Sequence, residues 1–332
     1  MIDAYGRQID YMRISITDRC NLRCGYCMPK GVTPLRHEEI LRYEEILHIC
    51  RIAIKIGIKN FKVTGGEPLV RKGCVDFLRE LKSLPGVGHV SLTTNAVLLN
   101  DFIEDICDIG HDDFGGLDGI NISLDSLRPD IYHQITGSDQ FSKVWRALVC
   151  AVEAGLRVKL NCVPMDGQNN EDILPMAQLT EKMPVDVRFI EFMPTGAVFK
   201  SIPGSEIINM LQTIYPDLAE ETTKRGFGPA RYFKSSKMQG AIGIIDAMEN
   251  CFCHTCNRLR LTSTGFLKLC LFHDDGLDLR TLIRSGATDS DIKSAICREI
   301  LNKPKHYMRD EIIKHDGICK RNHIKNMSQI GG

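Results

Sequence analysis

The stretch RISITDRCNLRCGYCMP, Arg13 to Pro29, couples a strand to a metal-binding loop. Arg13 to Thr17 (RISIT) are β-rich and alternate in character, the pattern of a strand with one buried face. The loop that leaves this strand carries Cys20, Cys24 and Cys27 at CxxxCxxC spacing. Three thiolates so placed can hold three corners of a four-iron cluster and leave one iron open, whereas a closed cluster takes four. Structural zinc is the competing reading. It requires four N or S ligands, and His37, the nearest downstream histidine, offers no finger-like pairing.

Working outward, further β-rich runs occur at Phe61 to Gly65, Val90 to Thr94, Ile120 to Leu124, Val158 to Val163 and Val187 to Phe192. Amphipathic stretches of helix length lie between them, clearest at Tyr43 to Gly57, Val75 to Gly86 and Phe141 to Gly155, and each ends in glycine. Strand and helix in alternation predict an α/β fold with parallel strands. Cys20, Gly65 to Glu67, Thr94, Asn95, Ser123 and Asp125 fall at or just past strand C-termini, where β/α barrels carry their active sites. The expectation is an incomplete parallel (β/α)6 TIM-like barrel over residues 1–228. An open doubly wound sheet is the alternative from periodicity alone.

After Phe199 the pattern changes. A helix over Pro203 to Pro216 is followed by a charged, glycine-containing segment, short β-like pieces (Ala230 to Phe233, Ala241 to Ile245, Arg258 to Thr262, Phe266 to Leu271) and a helix near Asp289 to Leu301. Residues 229–332 are expected to form a smaller C-terminal domain with a second cysteine group. There Cys253 and Cys256 form CxxC, and Cys270 follows in the run FLKLC. Three more thiolates can converge, and a zinc ribbon with His254, His273 or Cys251 as fourth ligand is again the bland reading.

The chain has 332 residues, with 42 Lys plus Arg against 42 Asp plus Glu, so no global field favours a polyanionic partner such as nucleic acid. The N-terminus lacks an apolar export segment and no run is long and apolar enough to span a membrane, so a cytoplasmic location is expected. Of the 14 cysteines, the two short groups have ligand spacing rather than the dispersed spacing of a disulfide framework. Cys50, Cys107, Cys150 and Cys297 fall in helical apolar patterns, where free cysteine acts as a small hydrophobe.

CxxxCxxC after the first strand together with TGGEP (Thr64 to Pro68) after the second resembles the radical SAM superfamily. The resemblance implies that the open iron chelates S-adenosylmethionine (SAM), and that one electron from the cluster splits it to a 5′-deoxyadenosyl radical. Gly65 and Gly66 permit close backbone approach, and Gly66 and Glu67 would hold the SAM amino group. By the same resemblance Tyr26, Ser123 in NISLD and Met193 in EFMP contact SAM. Singly, each would be an ordinary core or strand-end residue.

The pattern CxxCNRLRLTSTGFLKLCL, the opening YGRQIDYMRISITDRCNLRCGYCMP and the terminal Gly-Gly further resemble the GTP 3′,8-cyclase family, also called molybdenum cofactor biosynthesis protein A, over residues 5–332. The resemblance implies two 4Fe-4S clusters, the second on Cys253, Cys256 and Cys270 with its open iron on the guanine of GTP. It also implies hydrogen abstraction from C3′ of the ribose and attack on guanine C8. Arg258 and Arg260, at i and i+2 in a predicted strand, share a face beside that cluster. They, with Arg13, Lys62, Thr93, Lys159, Arg188 and Leu259, match positions that serve the nucleotide. No GxxxxGK[ST] loop is present, so dispersed cations would carry the triphosphate. Gly331 and Gly332 match a tail that enters the active site, where a frayed terminus would otherwise be expected. A flavodoxin-type or other reductant protein, a downstream cyclic pyranopterin monophosphate synthase and a homodimer are the implied partners.

Two features depart from the family pattern. Before TGGEP the family commonly carries Arg and Lys where this chain has Lys62 and Asn60, and Lys does not reproduce the planar Arg fork. The segment His111 to Gly119 is also long, with no physical account of its length. Two rival readings stay open: a radical SAM peptide maturase with an auxiliary cluster, and a non-catalytic zinc-binding scaffold.

Overall fold

Every β-rich run of the first two-thirds of the chain forms a strand: β1 (Tyr11–Ser15), β2 (Asn60–Thr64), β3 (His89–Thr94), β4 (Gly119–Ser123), β5 (Val158–Cys162) and β6 (Asp186–Ile190). The computed structural model describes residues 1–28, 34–109, 117–193, 200–223 and 225–307. Gly331, Gly332 and most of the segment at His111 therefore lie outside the described residues. The chain divides into two compact units, one of residues 1–21, 27–92 and 253–332, the other of residues 22–26 and 93–252. These units do not follow a linear cut at residue 228.

In the first unit α1 (Tyr43–Lys55) and α2 (Cys74–Lys82) connect β1 to β2 and β2 to β3, and the strands pair in parallel. The period of two sorts the side chains. Met12, Ile14, Phe61, Val63, Val90 and Leu92 are fully buried on one face, while Arg13, Lys62 and Ser91 alternate with them. Helix α1 supplies Ile46, Leu47, Ile49 and Cys50 to the core and stops at Gly57, whose φ of 94° only glycine adopts without strain.

The late part of the chain completes this sheet. β10 (Arg258–Leu261) adds in parallel to the free side of β1, and β11 (Phe266–Lys268) and β12 (Gly276–Asp278) follow as antiparallel strands, giving the order β12-β11-β10-β1-β2-β3. An uncovered β1 edge would present unpaired N–H and C=O groups, and β10 satisfies them. Helices α8 (Leu279–Arg284) and α9 (Asp289–Leu301) follow, and α9 packs on α1. Thr288 and Asp291 form a capping box that starts α9.

The second unit has the same plan. β4, β5 and β6 are parallel, β9 (Ile242–Ile245) joins β6 in parallel, and β8 (Arg231–Lys234) and β7 (Ala219–Glu221) continue antiparallel. Ile120, Ile122, Leu160, Val187 and Phe189 form its buried face. Helices α3 (Ile103–Cys107), α4 (Pro129–Thr136), α5 (Phe141–Glu153), α6 (Ile173–Lys182) and α7 (Gly204–Ile214) complete it.

The β-like pieces after residue 228 thus do not form a sheet of their own. They extend the parallel strands, because a four-residue strand finds its hydrogen bonds most readily on an existing edge. Among the described residues, no helix is long and apolar enough to cross a membrane.

Candidate active site: a row of cations beside the second cysteine group

The cysteine loop starts where β1 ends, and the TGGEP segment locks it there. Gly66 N–H donates to the Thr17 carbonyl and Glu67 N–H to the Arg19 carbonyl, both at 2.8 Å. A Cβ on Gly66 would sit 2.3 Å from the Arg19 carbonyl oxygen, and one on Gly65 2.7 Å from that of Thr17. Both glycines are therefore required by the backbone entering Cys20. Glu67, almost fully buried, accepts from Leu69 N–H at 3.1 Å. Arg71 donates to the Ile16 and Leu41 carbonyls and lies over the Tyr43 ring, which fixes the far side of the same turn.

Cys20, Cys24, Cys27, Cys253, Cys256 and Cys270 are all unbridged and half-buried. Among the described residues, no three His, Cys, Asp or Glu side chains form a group that could hold a metal ion. The donor chemistry nevertheless fits thiolate ligation at the second group. Burial pushes the Cys256 thiol up, but the Arg258 and Lys303 charges and the Arg258 N–H outweigh it and bring Cys256 to about 7.

Beside these cysteines the first unit assembles positive charge. Lys62, Arg13, Arg260 and Lys268 are successive register partners across β2, β1, β10 and β11, so one row crosses four strands. Burial holds the Arg260 guanidinium well below its usual range. Arg13 and Arg258 depress it further, while the Cys270 and Cys256 sulfurs pull it back. Lys268, 4% exposed, pairs with Asp274 at 3.1 Å. Leu259 is fully buried on the opposite, apolar face, so only its backbone is available to this row. Asn60 is also accounted for: its amide donates to the Asp10 carbonyl at 3.1 Å and ties the start of β2.

In the second unit, Tyr26 donates its hydroxyl to Asp125 Oδ2 at 2.8 Å, and Val163 N–H donates to Oδ1 at 2.8 Å. Burial raises the Asp125 carboxyl to about 6 despite both donors. Ser123 ends β4 half-exposed, Met193 is half-exposed, and Thr93 keeps a buried hydroxyl oxygen with no hydrogen-bond partner. Lys159 lies 3.5 Å from Asp186 and donates to Tyr232 and the Arg225 carbonyl. Arg188 donates to Asn161 at 2.9 Å and to Asn121. Gly243 stands opposite Arg188, and a Cβ there would meet the Arg188 side chain at 2.8 Å.

The row gains Lys268, which sequence reasoning missed although the TSTG turn between LRL and FLK signals a hairpin that registers it with Arg260. Asn121, Asn161 and Lys303 were missed as well, and nothing local marks them.

A sequence model of the Radical SAM superfamily matches residues 14–180, and one described as Molybdenum Cofactor Synthesis C matches residues 185–309. The chain is 41% identical to the GTP 3′,8-cyclase of Pelotomaculum thermopropionicum over 340 residues, covering 100% of both chains. It is 42% identical to the GTP 3′,8-cyclase of Heliobacterium modesticaldum over 342 residues, again covering 100% of both. Streptococcus suis SuiB bound to S-adenosylmethionine shares the fold at 13% identity, with a TM-score of 0.63 over 96% of this chain and 77% of that one. Native anSMEcpe with bound AdoMet shares it at 16% identity, with a TM-score of 0.53 over 92% and 82%. The parallel α/β architecture is thus that of radical SAM enzymes, and SAM with an iron-sulfur cluster are its cofactors. Matched end to end by curated relatives, the chain belongs to the GTP 3′,8-cyclase family of the radical SAM superfamily.

Proposed function

We propose that this chain cyclises GTP to 3′,8-cyclo-7,8-dihydro-GTP, the first step of molybdenum cofactor biosynthesis, with a second four-iron cluster on Cys253, Cys256 and Cys270. The observation that carries the substrate assignment is the row Lys62, Arg13, Arg260 and Lys268, flanked by Arg258, next to the second cysteine group. Like charges set side by side on one row, with Arg260 and Lys268 buried, repel one another, and a polyanion relieves them. Cys20, Cys24 and Cys27 hold the first cluster, which when bound supplies the electron that cleaves SAM to the hydrogen-abstracting 5′-deoxyadenosyl radical.

The remaining roles belong to this chain's side chains. Tyr26, Gly66, Glu67, Ser123 and Met193 serve SAM. Arg13, Lys62, Thr93, Lys159, Arg188, Arg258, Arg260 and the Leu259 backbone serve the nucleotide. Lys159 exchanges part of its pairing with Asp186 for phosphate, and Asn121 and Asn161 aim Arg188. Holding reactants in a fixed geometry and away from water is the larger part of such catalysis. Gly331 and Gly332 act as the tail of the site. A flavodoxin-type reductant, a cyclic pyranopterin monophosphate synthase downstream and a second copy of the chain are the proposed partners.

The test incubates oxygen-free, reconstituted protein with dithionite, SAM and GTP. GTP-dependent 5′-deoxyadenosine and a cyclised nucleotide are expected. Release of 5′-deoxyadenosine that is indifferent to GTP would remove GTP as substrate.

A further inference from the structure

Lys303 is a buried lysine whose ammonium the proposed reaction does not use. It follows α9, is 2% exposed, and among the described residues no carboxylate forms an ion pair with it. Its Nζ donates to the Arg258 carbonyl at 2.8 Å and to the Leu269 carbonyl. Leu269 supplies the acyl half of the peptide bond whose N–H belongs to Cys270, and Arg258 is the residue that donates to Cys256. One side chain thus ties the backbone just before Cys270 to that of Arg258, the donor to Cys256.

Cys253, the third cysteine, is reached through the same turn. Arg7, 5% exposed, donates to the carbonyls of Lys303, Pro304 and Lys305 and to that of Cys253, the last at 2.9 Å. Arg7 is neutralised by Asp3 at 2.6 Å. Lys303 has no such pair: burial holds its ammonium below its usual range, Arg7 and Arg258 depress it further, and the Cys256 and Cys270 sulfurs pull it back.

Leaving an ammonium in a low-dielectric interior costs several kcal/mol unless something negative repays it, on the order of the penalty for any buried ion. Satisfying two carbonyls needs only a neutral donor. The charge therefore points to an anionic occupant: three thiolates bound to a four-iron cluster, more negative still when reduced.

We propose that Lys303 is a positioning residue for the C-terminal cysteine group and that its buried charge raises the reduction potential of the cluster held there. This rests on the second-cluster reading given above. A cation close to a cluster favours the form with one more electron, and net charge and hydrogen bonding are among the determinants of cluster potential. Lys303 thereby sets how readily the substrate-side cluster is reduced in the presence of the one that cleaves SAM.

The experiment uses the full-length chain with Cys20, Cys24 and Cys27 changed to alanine, so that only the C-terminal group contributes iron. Iron is counted on oxygen-free material and the cluster is titrated with dithionite under EPR. About four irons per chain are expected in this background; their absence would defeat the second-cluster reading itself, whatever Lys303 does. With iron present, Lys303→Gln keeps donors but loses charge, and its midpoint should fall below that of the background, while Lys303→Arg should stay near it. Full iron with an unshifted midpoint in Lys303→Gln overturns the proposal. Where Gln strips the iron, retention by Arg alone supports a requirement for charge, and loss in both leaves Lys303 a packing element and overturns it.

Discussion

Arg13 on β1 and Arg260 on β10 are direct register partners on neighbouring parallel strands, and the Arg13 charge makes the buried Arg260 guanidinium harder to keep charged. A fold optimised only for stability would not set two arginines opposite one another. Replacing Arg260 by Met should therefore leave the melting temperature unchanged or higher. The same change should weaken GTP binding by about ten- to a hundredfold, the range expected for a lost charge-assisted hydrogen bond. Calorimetric melting and equilibrium binding on one preparation check both; a large drop in melting temperature would show that Arg260 serves the fold.

Lys62 extends that row on the other side of Arg13. An ammonium is a point charge, whereas a guanidinium offers a planar fork to phosphate. Lys62→Arg should lower the apparent KM for GTP with kcat little changed. An unchanged KM would show that the position reads charge alone.

At Gly66 the geometry is tighter. A Cβ would stand 2.3 Å from the Arg19 carbonyl, directly before Cys20. Gly66→Ala must push the cysteine loop away, at about 1–3 kcal/mol for the overpacking, and should lower the iron retained by the first group. Iron counts on anaerobic material are the readout, and normal iron with normal SAM cleavage would contradict the close packing described.

Asp125 gives a pH dependence with a definite sign. Burial, offset in part by the Val163 N–H and the Tyr26 hydroxyl, raises its carboxyl to about 6, from an unfolded value of 3.8. The folded chain then binds the proton more tightly. The stabilising contribution is complete below about pH 4, declines as pH rises, and is gone above about pH 6, for a total of about 3 kcal/mol. Asp125→Asn should flatten the parent's fall in stability between pH 4 and 6. Denaturant titrations at several pH values check this, and parallel profiles for parent and variant would rule it out.

Much of this was legible in the sequence. The i, i+2 spacing of Arg258 and Arg260 predicts a shared face, and the alternation in RISIT and FKV predicts that Arg13 and Lys62 lie opposite the apolar residues of their strands. Pro129 and Gly137 bracket α4 with ordinary start and stop signals that the sequence reading passed over. What could not be read was pairing. RLRL carries nothing that says which edge it will join, so neither the parallel docking of β10 on β1 nor the row it completes follows from local pattern. Lys303 has the spelling of an exposed lysine at a helix end, and only long-range packing makes it an interior cation. Lys159 and Arg188 matched by family position, but their partners Asp186, Asn161 and Asn121 come from neighbouring strands and are invisible to spacing.

The docking of β10 on β1 also bears on how the chain is made. A ribosome delivers β1 long before β10, so the edge of β1 waits, uncovered, while everything between Ser15 and Arg258 is made. The second unit, drawn almost wholly from one contiguous stretch, can settle beforehand. Nascent chains truncated before Arg258 should therefore lean on holdase chaperones, and iron loading at Cys253, Cys256 and Cys270 belongs to the period after β10 has docked.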